Sequence, residues 1–161
     1  MNVQVGFRPA ISPESPPSHE CDYARVLDVN VVYTDVPGTL AALRKAGGLA
    51  ANLRARIQLI VPQVVHYPLP LSRPGVPREF SERRFHTLAD GLHIDTHVQI
   101  CLCRDREQLL TEALPPRSLI VIGGRKRWWL TPEQALASRL HRSGHEVIYA
   151  EMERTQRPGS L

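Results

Sequence analysis

Gly123-Gly124-Arg125-Lys126-Arg127-Trp128-Trp129 puts two glycines, three cations and two indoles into seven consecutive residues. Each type has a use beside an anion. Glycine lets a backbone approach a phosphate closely, cationic side chains hold oxyanions through charge-assisted hydrogen bonds, and an indole stacks on a base or closes over a site. The run lies between the apolar Ser118-Leu119-Ile120-Val121-Ile122 and Thr131-Pro132-Glu133-Gln134. That order reads as buried strand, glycine turn, cationic loop and capped helix. In an open parallel sheet such a turn lies at the carboxyl end of a strand, where ligands of these folds bind. The competing reading is a solvated turn whose tryptophans pack against the core, and one tryptophan is expected to be structural under either reading.

Other constellations are thinner. Asp35 in Asp35-Val36-Pro37-Gly38 either caps a helix or meets a sugar hydroxyl. His93, Asp95 and His97 share one face of a strand by alternation, with Cys101 and Cys103 continuing it. Zinc is the chemistry that set would support, and an exposed polar strand face is the simpler account, so no metal is predicted. A glycine-flanked serine, a Walker phosphate loop and a histidine–glutamate zinc helix are all missing. His141 and His145 have no evident nucleophile to serve, so the chain reads as non-catalytic.

The elements that would hold these residues follow from periodicity. Val26, Leu27, Val29, Val31, Val32 and Tyr33 predict a strand covered on both faces. Leu40, Leu43, Ala46, Ala50 and Leu53 predict a helix through residue 55; Gly47 and Gly48 weaken it unless they let it approach the sheet. Ile57 to Val65 supplies a second strand with Pro62 marking its exit, and four prolines make 66–78 a loop. Phe80 to Leu92 is an amphipathic helix ending near Gly91, and 93–103 alternates as a half-exposed edge strand. Asp105 with Gln108 starts a helix through Leu114, and Ile120–Ile122 is a fourth strand. A helix capped at Thr131 ends at Gly144, and Glu146–Ala150 is the last strand. Five strands alternating with four helices imply an α/β domain with a parallel sheet at 23–153. Flexible tails are expected at 1–22 and 154–161.

Composition bounds the setting. A chain of 161 residues, 42% hydrophobic and 22% charged, suits one globular domain. The net charge of +4 favours anions without singling out nucleic acid. No apolar run approaches the ~20 residues a membrane helix needs, and no secretory pattern opens the chain. Three cysteines do not make a disulfide scaffold, so the cytoplasm is the expected compartment.

Over roughly residues 25–152 the order of elements resembles the universal stress protein family. The short loop beginning at Asp35, the proline-rich excursion after strand two, the Asp105-led helix and the glycines after strand four carry the likeness. The resemblance implies a five-stranded parallel sheet in the order 3-2-1-4-5 with helices on both faces, the adenine nucleotide alpha hydrolase-like fold. It implies ATP or another adenine nucleotide as ligand, a homodimer through the last strand, and a stress-related regulatory role. Asp35 would lie near the adenosine, Pro62 would line it, and Gly123, Gly124, Arg125, Lys126, Arg127 and Thr131 would surround the phosphates. ATP-binding members carry Gly, two residues, Gly, nine residues, then Gly followed by Ser or Thr. Counted from Gly124, those later places hold Arg127 and Ala137-Ser138; counted from Gly123, they hold Lys126 and Leu136-Ala137. Cationic side chains thus stand where the family uses bare peptide amides. A dimeric interaction module that has lost ATP binding, and a nucleic-acid-binding protein using the arginines and tryptophans, are the other readings.

Overall fold

β-Branched residues at consecutive positions suit a strand buried on both faces, and β1 (Asp28–Val32) is fully buried from Val29 onward. In the computed structural model, which describes residues 27–152, the other elements follow alternately. They are α1 (Val36–Leu53), β2 (Arg56–Val64), α2 (Arg78–Asp90), β3 (Thr96–Cys103), α3 (Arg106–Ala113), β4 (Leu119–Gly124), α4 (Pro132–Arg142) and β5 (Glu146–Glu151). The expected tails at 1–22 and 154–161 lie outside the described residues. All strands are parallel, in the order β3-β2-β1-β4-β5, as the resemblance implied. None of the helices among the described residues is long and apolar enough to cross a membrane.

Alternation along the strands divides the core into two layers. Val29, Val31, Leu59, Val61, Ile100 and Val121 face α1 and α2, meeting Ala42, Leu43, Ala46 and Phe85. Val32, Ile60, Ile120 and Ile122 face the other way, onto Leu110, Leu114, Leu136 and Leu140. This two-sided burial explains why β1, β2 and β4 are dense in apolar residues, with Asn30 of β1 buried among them.

Several local expectations change. Helix α1 runs unbroken through Gly47 and Gly48, ending at Leu53 with Arg54 as a left-handed cap (φ 52°). Gly47 makes room for Ile94, not for the sheet; a Cβ there would sit 3.0 Å from Ile94 Cδ1, whereas Gly48 faces open space. Pro62 does not end β2, which continues to Val64 and pairs Pro62 with Cys101 of β3. Ile60 O accepts from Tyr33 N, so Ile60 and, two residues on, Pro62 turn their backbone groups toward β1. Because β1 stops at Val32, opposite Ile60, the N–H that Pro62 lacks has no strand to serve. Gly123 and Gly124 are not a turn: they are the last residues of β4, paired with Ala150 and Glu151.

Strand β3 is an edge strand, but it starts at Thr96, because His93 takes a left-handed conformation (φ 53°). His93, Asp95 and His97 are exposed, while Cys101 packs against the second core layer and Cys103 is buried. The five residues therefore do not form one surface. Burial pushes both thiols above their ordinary value, which keeps them protonated and poorly nucleophilic.

Candidate functional site

The crevice between β1 and β4 is built by capping and by close backbone approach. Asp35 caps α1, its Oδ1 accepting from Gly38 N at 2.7 Å. Thr34 Oγ1 donates to Gly123 O at 2.9 Å, and Thr34 N donates to Thr39 Oγ1 at 3.2 Å. These bonds press the first turn of α1 against the end of β4. A Cβ on Gly123 would overlap the carbonyl of Gly38, and one on Gly124 would overlap the hydroxyl of Tyr149. Neither position has a positive φ, so contact alone favours glycine at both, against backbone at Gly123 and against a side chain at Gly124.

Beyond Gly124 the chain runs exposed from Arg125 to Leu130 and re-enters at Thr131. Thr131 and Gln134 form a full capping box: Thr131 Oγ1 accepts from Gln134 N (3.3 Å), and Gln134 Oε1 accepts from Thr131 N (2.9 Å). Between this loop and Asp35 lies an open cleft of about 320 Å³. Asp35, Gly124, Arg125, Arg127 and Thr131 line it, joined by Trp129 and by Glu133 in the first turn of α4. Three of the residues that the resemblance sets around a nucleotide lie outside it. Gly123 is buried beneath Gly38, and Lys126 turns away to pair with Glu151 of β5 at 3.0 Å. Pro62 lines a different cavity, between β2 and α2.

Neither tryptophan is a core residue, contrary to expectation. Trp128 is 92% exposed and Trp129 half exposed, the two rings meeting edge to face at 5.1 Å. The Arg127 guanidinium lies 5.2 Å over the Trp129 ring, a cation–π distance that leaves the cleft unfilled. The charges in the cleft are mixed: Arg125 and Arg127 stand with Asp35 and Glu133.

Three contributors were not legible from motif reading. Glu133 followed from nothing but its place in a helix first turn, where an acid complements the dipole. Arg106 of α3 reaches across to donate Nη2–H to Tyr33 O at 2.6 Å, holding the end of β1. Tyr149 of β5 donates its hydroxyl to Arg125 O at 3.3 Å, anchoring the start of the loop. The only signal for Tyr149 was its phase on β5, since the register sets it opposite Ile122 on the α4 side of the sheet.

Burial raises the Tyr149 pKa above its ordinary value of 10.0; the Thr131 hydrogen bond opposes this, and the carboxylates of Glu133, Glu151 and Asp35 add to it. The folded state therefore holds the phenolic proton more tightly than the unfolded state does. The resulting stability is fully present below pH ~10 and is lost as pH rises through the folded value. Urea midpoints measured across that range should fall more steeply for the parent than for Tyr149→Phe. Parallel curves would refute the assignment.

No protein-family model matches the chain, and no curated protein matches it in sequence. Solved structures do. A universal stress protein crystallised in complex with cAMP aligns with a TM-score of 0.52 at 16% identity, over 80% of this chain and 98% of that one. A universal stress protein family member from Burkholderia pseudomallei aligns with a TM-score of 0.52 at 17% identity, over 78% and 96%. The protein has the universal stress protein fold, with its strand order and its four helices.

Proposed function

We propose that this chain is a universal-stress-like regulatory protein that binds an adenine nucleotide, or a related nucleoside phosphate, in the cleft between β1 and β4. One observation carries the reading: two guanidinium groups, an indole face and two carboxylates converge on one cleft at the strand switch point. Arg125 and Arg127 hold phosphate oxygens, the Trp129 ring takes the base, and Asp35 and Glu133 accept from sugar hydroxyls. The cAMP carried by a structure of the same fold supports a nucleotide as the ligand class. In this reading the site senses its ligand and does not turn it over. The working unit is the domain at 23–153, a cytoplasmic homodimer formed through β5. Among the described residues nothing pairs with that strand's outer edge, and its Val147 and Ile148 are half buried.

Calorimetric titration of the full chain with AMP, cAMP and ATP tests this. Binding is expected, weakened at least about tenfold (~1.4 kcal/mol) by Arg125→Ala with Arg127→Ala. Lys126→Ala should leave affinity within about twofold, because an exposed ion pair contributes little. Absence of heat and of any thermal shift with all three would remove the ligand. The second reading would then stand: an interaction module without a nucleotide, favoured by the equal numbers of cations and acids in the cleft.

A further inference from the structure

The cavity that Pro62 lines is larger than the cleft, about 430 Å³, and far more apolar. It opens between the end of β2, helix α2 and the proline-rich segment joining them. Val61, Val65 and Phe85 form its buried floor, with Tyr33 meeting Phe85 edge to face at 4.8 Å. Its rim is unusual for a protein surface. Val64, Leu69, Val76 and Phe80 all line it, and they remain 37%, 44%, 47% and 63% exposed. Single exposed apolar residues need no explanation, but four around one concavity mark a place where something apolar binds.

The cavity is held open by polar bonds at both ends of the segment. Arg104 donates to Val65 O at 2.7 Å and to Leu69 O at 2.8 Å, while its guanidinium lies 4.1 Å over the Tyr67 ring. At the other end Gln63 Nε2 donates to Val76 O at 3.0 Å, and Ser81 Oγ donates to Gln63 Oε1 at 3.2 Å. These groups are occupied in fixing the walls. His66 and Arg84 are left: both line the cavity, both are exposed, and neither has an ion-pair partner among the described residues. A preformed apolar cavity with a few polar groups is the usual form of a small-molecule site, and this volume lies low in the range of ~300–1,000 Å³.

We infer that this cavity binds a small amphipathic organic anion, its aliphatic or aromatic body between Phe80, Val76 and the β2 floor and its carboxylate at Arg84. The site is separate from the nucleotide cleft and stands whether or not that cleft is occupied. Charge complementarity selects an anion, because the one fixed charge lining the cavity is the Arg84 guanidinium.

Fluorescence of 1-anilinonaphthalene-8-sulfonate with the full chain, and its displacement by octanoate and by octanol, is the test. One saturable dye site is expected, displaced by octanoate about fivefold more readily than by octanol, as a solvent-exposed charge contact gives. Arg84→Gln should remove that preference while leaving octanol unchanged. Phe80→Asp should weaken both about tenfold through lost apolar contact, with like-charge repulsion adding to the loss for octanoate alone. Both positions are exposed, so the fold survives these changes; an unchanged near-UV circular dichroism spectrum verifies this. Absence of a saturable site, equal displacement by octanoate and octanol, or displacement of the dye by AMP would each overturn the inference. So would a mass shift to a dimer that Phe80→Asp abolishes with no octanoate effect, since a second copy would then be the occupant.

Discussion

Gly123→Ala should lower the unfolding free energy by about 3 kcal/mol or more, near the upper end for a single substitution. The added methyl would overlap the carbonyl carbon and oxygen of Gly38 and approach Ala42 Cβ to 3.2 Å. The first two are backbone atoms, so no rotamer change relieves the overlap. Helix α1 itself must shift, yet its start is tied to β4 and β1 by Thr34 and capped by Asp35. For a domain of this size the loss corresponds to a melting temperature about 10 °C lower. Because the shift displaces Asp35, the proposed nucleotide binding should weaken with it. A Gly123→Ala protein with parental urea and thermal midpoints would show that α1 and β4 do not approach as described.

Gly124→Ala, one residue on, should behave differently although its predicted clash looks similar. Its methyl would meet the Tyr149 hydroxyl, with Tyr149 Cζ and Glu133 Cβ at 3.2 Å. Here the obstacle is the end of a side chain. The expected cost is about 2 kcal/mol, and adding Tyr149→Phe should recover about half of it, a positive coupling between neighbouring sites. Tyr149→Phe alone should cost less than about 1 kcal/mol, because its 3.3 Å bond to Arg125 O is long. The four proteins form a double-mutant cycle read by urea unfolding. Strict additivity would mean that Tyr149 does not lie under the start of the cationic loop. The contrast between the two glycines separates a backbone constraint from a side-chain one.

Most of the architecture was open to reading in the chain itself. Period-two and dense apolar runs, the cap residues Asp35, Asp105 and Thr131 ahead of three of the four helices, and the breaks at Gly91, the Pro115 pair and Gly144 specify these elements locally. Such signals depend on neighbours a few residues apart, so no long-range information is needed. The capping box at Thr131 is the strongest case, complete in both sequence and structure. Strand order came from a family likeness, since periodicity is silent about which strands are adjacent.

What the chain alone determined is where cations, rings and glycines are concentrated; what the fold decided is which of them share a cavity. Lys126 carries the same charge as its two arginine neighbours, yet the pairing of β4 with β5 brings Glu151 within its reach. Pro62 and Asp35 sit at the ends of adjacent strands, but they line separate cavities because β2 extends beyond β1. Gly123 and Gly124 read as a turn because sequence cannot report that another backbone or a tyrosine ring passes within van der Waals distance. Tyr149 and Arg106 reach the site from 24 and 73 positions away in the chain. Contacts at such separations exist only once the sheet has formed, so no motif spacing could have recorded them.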